Sequence, residues 1–183
     1  VTVDGQRCLR ILAAGVPAVG YKVYEVRPGA GAIQDPPATF AGDTLTSSQY
    51  VLRVAGNGAI TSLVDKTRGS RQFAATIGGR ALNDLGAGAG TLVVESSGPV
   101  SVTLRATATT PLAHTTRLTL LRNSRRIDIR NDITQGFDAV QTWAFGFNLN
   151  PPDVHHEEVG AVARARLAGA GGHYSPRNAR YDW

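Results

Sequence analysis

Chemistry in this chain would have to come from a few short clusters. His155-His156-Glu157-Glu158 is the densest set of potential metal ligands. On a strand, neighbouring histidines point to opposite faces, so His155 and Glu157 could share one face while His156 turns away. Two ligands are too few for zinc, which takes at least about three from protein, so His173 or His114 would have to join them. His155 and Glu157 are therefore weak metal candidates, and a solvated loop rim is the expected setting. Glycoside hydrolysis asks for two carboxylates about 5–10 Å apart across a sugar. Glu157 and Glu158 diverge on a strand, and Asp128 and Asp132 share a face with Arg126 and Arg130, which predicts surface charge pairing. A mutarotase-type acid and base, His155 or His173 with Glu157, is not selected by any spacing. Gly171–Asn178 is a Gly/Pro-bounded loop in which His173, Tyr174 and Arg177 could bind a sugar by ring stacking and hydrogen bonding. These three are the substrate-binding candidates. No catalytic residue is assigned.

Cys8, the single cysteine, excludes an internal disulfide framework, and its apolar neighbours Leu9, Ile11 and Leu12 predict a small core residue. The net charge of +5 comes almost wholly from arginine, since only Lys22 and Lys66 are lysines. Arg122, Arg125, Arg126 and Arg130 are the densest basic group, but they do not share a strand face and no aromatics interleave them. This reading argues against nucleic acid and for a solvated sheet surface. No apolar run reaches the length of a membrane span.

The elements that must position these groups read as strands. Tyr50–Ala55 and Ala59–Val64 flank Gly56-Asn57-Gly58, a hairpin signal of type I′, followed by the polar turn Asp65-Lys66-Thr67-Arg68-Gly69. Further runs are Thr91–Ser96, Val100–Thr109, Thr115–Leu121, Ile127–Ile133, Val140–Leu149 and Glu157–Leu167. Trp143, Phe145 and Phe147 alternate along the Val140 run, which predicts a buried aromatic stripe. Two earlier runs, Cys8–Ala13 and Val19–Val26, predict a small annex. Residues 74–90 are Gly/Ala-rich and read as irregular loop. Three turns of 3.6-residue periodicity occur nowhere, so the fold class is all-β, an antiparallel sandwich with a short N-terminal β annex. The organisation expected is 1–28 as tail strands of a preceding small β-domain, 29–46 as linker, and 47–183 as the sandwich, truncated at its C-terminus. A chain without Met that starts on Val1 and stops on Tyr181-Asp182-Trp183 reads as an excised piece. Its Arg, Ala and Gly abundance suggests a GC-rich bacterial genome and, lacking a span or leader, a soluble cytoplasmic protein.

Several of these blocks resemble the C-terminal β region of glycoside hydrolase family 38, the α-mannosidases. Val16-Pro17-Ala18-Val19-Gly20-Tyr21-Lys22-Val23-Tyr24 is similar to the "VPALGYKTY" end of that family's small β-domain. Tyr50–Arg68 resembles the opening of its large sandwich. Ser97-Gly98-Pro99-Val100 with Thr119–Asp128 looks like the family's "GPV…ITLYRGSRRIDF", and Arg180–Trp183 resembles the start of a further strand. The resemblance implies a galactose mutarotase-like β-supersandwich that supports a catalytic barrel. In that family an aspartate nucleophile, an acid/base carboxylate and a zinc ion held by His and Asp lie in the barrel. The implied role is a non-catalytic sandwich of an α-mannosidase-like hydrolase, inactive alone, with carbohydrate and the barrel as partners. No cofactor is expected in this chain, zinc belonging to the parent enzyme, and neither nucleic acid nor membrane is a partner. The rival is a free-standing carbohydrate-binding or aldose-mutarotase-like domain.

Overall fold

The structure, a computed structural model, describes residues 2–3, 6–29, 34–150, 153–158 and 160–165. The chain divides into two units, Val1–Asn148 and Leu149–Trp183.

In the first unit a two-residue ladder joins β1 (Thr2–Val3) to β2 (Gln6–Arg7). The expected strands Cys8–Ala13 and Val19–Val26 do not form. Their alternating apolar side chains meet no covering surface, leaving Leu9 69%, Tyr21 85% and Val23 80% exposed. Cys8 is exposed as well, not a core residue. Side chains stand in for a ladder: Lys22 Nζ and Tyr24 Oη both donate to Ala14 O, at 2.9 and 2.7 Å.

Two antiparallel sheets follow. The first runs in chain order: β3 (Ala38–Ala41), β4 (Thr44–Ser47), β5 (Tyr50–Val54), β6 (Ile60–Asp65) and β7 (Arg71–Gln72). Its registers Phe40↔Leu45, Leu45↔Leu52 and Leu52↔Leu63 lay one apolar row across four strands. The second is a meander of β8 (Gly90–Ser97), β9 (Ser101–Ala108), β10 (His114–Leu121) and β11 (Ile127–Ile133). There Leu104 pairs with Leu118 and Leu118 with Ile129. Along β10 buried and half-buried residues alternate strictly, as the two-residue repeat of a one-sided sheet demands. Leu45, Leu52, Leu104 and Leu118 are all but sealed, and the two inner rows belong to one hydrophobic core. Each such leucine contributes about 1.5–3 kcal/mol of transfer free energy. The fold is therefore an all-β antiparallel sandwich.

The outer face of the second sheet carries the charges. Arg130 pairs with Asp132, Asp132 with Arg117, Arg117 with Glu95, and Glu95 with Arg105, while Arg126 pairs with Asp128. Asp128 and Asp132 thus sit in surface ion pairs, as their spacing with Arg126 and Arg130 predicts. The polar turn after β6 also forms as read. Asp65 Oδ1 accepts from Thr67 N at 2.8 Å and from Thr67 Oγ1 at 2.7 Å, and Gly69 ends the turn in the left-handed region.

Residues 140–149 depart from expectation. They form no strand, only isolated bridges Ala144↔Asp84 and Phe147↔Ala74. Phe145 is 51% and Phe147 46% exposed, so the stripe is not core. Gly146 lies against the backbone of Ala75, where a Cβ would overlap the carbonyl oxygen. The segment is held by these backbone contacts to loop residues rather than by a neighbouring strand. Among the described residues no helix is long and apolar enough to cross a membrane.

In the second unit β12 (His155–Glu158) pairs antiparallel with β13 (Ala161–Arg164) around Gly160, at φ 83°.

Candidate functional site

The hairpin at 50–65 does more than join two strands. Its turn differs from the type I′ expected of Asn-Gly: only Gly58 has positive φ, at 89°. Gly58 N donates to Ala55 O at 2.9 Å and Ala55 N to Ala59 O at 2.8 Å, the pattern of a type I turn followed by a bulge residue. Asn57 does not take a positive φ, and its side chain is engaged on both sides. Its Oδ1 accepts from Ala59 N at 3.2 Å, and its Nδ2 donates to Gly86 O at 3.3 Å.

This turn is pressed onto the second sheet by glycines. A Cβ on Gly56 would overlap the carbonyl of Gly90, at the start of β8, and one on Gly58 would lie 2.5 Å from Thr116 Cβ. Only residues without a side chain permit such an approach. Beneath the turn, His114 is 3% exposed, with Nδ1 2.7 Å from Leu112 O and Nε2 3.1 Å from Asn57 O. Trp143 meets the histidine edge-on at 6.1 Å. Asn83, 1% exposed, exchanges amide hydrogen bonds with Asn131, whose Oδ1 also accepts from Thr116 Oγ1 at 2.7 Å. These polar groups lock the turn, the 80s loop and the second sheet together.

Residues 74–90 are better ordered than their composition suggests. Ile77 and Arg80 exchange backbone hydrogen bonds around Gly78 and Gly79, both at positive φ, which makes a tight two-residue turn. Leu82 bridges to Ile60 and Asp84 to Ala144. The Arg80 guanidinium donates to Thr142 O at 2.5 Å and to Asp84 O. The Asp84 carboxylate accepts Ala81 N at 3.0 Å and Gly86 N at 2.8 Å.

Between this loop and the hairpin lies an open cleft of about 540 Å³, whose polar lining includes Asn57, Thr61, Thr76, Arg80 and Asp84. It offers amide, hydroxyl and guanidinium groups on a rigid base, suited to a ligand bearing hydroxyls. Asp84, its one lining carboxylate among the described residues, is already held by two backbone N–H groups.

Among the described residues, none singled out from sequence as a site candidate lines this cleft. His173, Tyr174 and Arg177 lie outside the described residues. His155 and Glu157 occupy alternate positions of β12, opposite Arg164 and Val162, and both are exposed. Asp153 lies 4.0 Å from His155 Nδ1 but only 2.5 Å from Arg164 Nε, so this carboxylate is engaged by a guanidinium. Both ring nitrogens of His114 face backbone carbonyls. Among the described residues no three His, Cys, Asp or Glu side chains gather as a metal-binding group. Asn57 and Arg80 are not legible in sequence because the carbonyls they reach, Gly86 O and Thr142 O, are distant along the chain. The Gly78-Gly79 pair between Ile77 and Arg80 was the available signal of an ordered turn.

No family model, no curated protein and no solved structure matches the chain.

Proposed function

We propose that the chain is a non-catalytic β-sandwich of an α-mannosidase-like glycoside hydrolase, which supports a catalytic barrel and contacts carbohydrate through the cleft beside the 55–59 turn. The observation that carries this reading is the cleft's lining. Asn57, Thr61, Thr76 and Arg80 present neutral and cationic hydrogen-bonding groups, while Asp84, the one lining carboxylate among the described residues, is tied to backbone amides. Such a surface can hold a sugar's hydroxyls without supplying the acid and nucleophile that cleave it. The sequence blocks at 50–68 and 97–128 support the family part of the reading.

Calorimetric titration of the intact chain with mannose-containing oligosaccharides tests it, alongside an assay for hydrolysis of p-nitrophenyl α-mannoside. Saturable binding without nitrophenol release is expected. Turnover by this chain alone would overturn the non-catalytic assignment, and absence of binding would overturn the cleft's role.

A further inference from the structure

Asn57 precedes Gly58, the residue type that least shields its own amide nitrogen, so this pair is chemically suited to cyclisation of the asparagine side chain. The fold engages every group the step would use. Gly58 N, the attacking atom, donates to Ala55 O at 2.9 Å. Asn57 Oδ1 accepts from Ala59 N, Nδ2 donates to Gly86 O, and the Asn57 carbonyl oxygen meets His114 Nε2 at 3.1 Å. Gly58 is seated on Thr116, so it cannot swing toward the Asn57 side chain without lifting the turn off β10.

We infer that Asn57 is a conformationally gated modification site, at which the closed hairpin withholds a deamidation that the opened chain undergoes. In the open turn, Gly58 N gives up its proton and bonds to Asn57 Cγ. The Cγ–Nδ2 bond breaks, and ammonia leaves carrying that proton. Water then opens the resulting succinimide at either carbonyl, giving aspartate or isoaspartate.

Neither product suits the closed turn. Aspartate has no donor for Gly86 O and places a second carboxylate on the cleft rim beside Asp84. Isoaspartate adds a methylene to the backbone between Gly56 and Gly58, where contacts to Gly90 and Thr116 leave no room. The modification would therefore mark chains that have opened and hinder their reclosing.

The test compares the intact chain under native conditions with the same chain in guanidinium, at equal pH and temperature. Peptide mapping follows the mass gain of amide-to-acid conversion at Asn57. Conversion in the native chain is expected to be slower by roughly tenfold or more, because the reaction then tracks the locally opened population. Equal rates in the two conditions would overturn the gating. Absence of conversion in guanidinium would overturn the site itself.

Discussion

Gly58 and Thr116 touch so closely that the hairpin turn of one sheet is seated directly on a strand of the other. A Cβ at Gly58 would lie 2.5 Å from Thr116 Cβ and 2.7 Å from its hydroxyl, and Gly58 already holds a φ of 89°. Gly58→Ala therefore meets both a conformational and a steric penalty. It should destabilise the chain by about 2–4 kcal/mol, the sum of a strained backbone and overpacking. Gly69→Ala, at φ 63° with nothing within 4 Å, carries only the backbone penalty and should cost about 1–2 kcal/mol. Urea unfolding of the two variants compares them, and equal losses would refute the close seating.

The shared core makes a second contrast. Leu104→Ala and Leu118→Ala, at the sealed centre of the inner row, should each cost about 2–5 kcal/mol. Val23→Ala, in the exposed 8–27 stretch, should stay within about 0.5 kcal/mol. Chemical denaturation midpoints measure both.

Acid should loosen the turn after β6. The Thr67 hydroxyl holds the Asp65 carboxyl below its ordinary range, against the opposing effect of burial, with the Thr67 N–H and Arg68 assisting. A carboxyl depressed in the folded state stabilises it above the unfolded pKa of about 4, and the gain disappears as pH falls through the folded value. Stability should thus decline as pH is lowered below about 4, and Asp65→Asn should flatten that limb of the profile. An unchanged acid limb in the variant would contradict the assignment.

Much of the sandwich was legible because its signals are local. Thr115 to Leu121 alternates, and a strand buried on one face must alternate. Asp65-Lys66-Thr67-Arg68-Gly69 carries its own capping oxygen and its own left-handed glycine. Alternation does not supply a cover, however. Tyr21 and Val23 alternate but meet no opposing sheet, and Phe145 and Phe147 remain half exposed where backbone bridges replace a strand. The cleft was illegible for a related reason. Asn57 reaches Gly86 and Arg80 reaches Thr142 through contacts 29 and 62 residues apart, set by packing at Gly56, Gly90 and Gly146. The turn type differs from the Asn-Gly signal: Asn57 does not take a positive φ, and its side chain is engaged by Ala59 and Gly86.

If Thr76 contributes a hydroxyl to a bound sugar, Thr76→Val should weaken oligosaccharide affinity by about 0.5–1.5 kcal/mol, the ordinary net value of one hydrogen bond. Thr76 is exposed, so its melting temperature should barely move. Calorimetric titration and thermal melting of the variant check the two halves of this prediction.

The most direct measurement is a titration of the isotopically labelled chain with a mannose-containing oligosaccharide, followed by amide and side-chain nuclear magnetic resonance shifts. Saturable shifts clustered at Asn57, Thr61, Thr76, Arg80 and Gly86 are expected, with the salt-bridged outer face of β9–β11 unchanged. Shifts centred elsewhere, or none at saturating sugar, would contradict carbohydrate contact through this cleft.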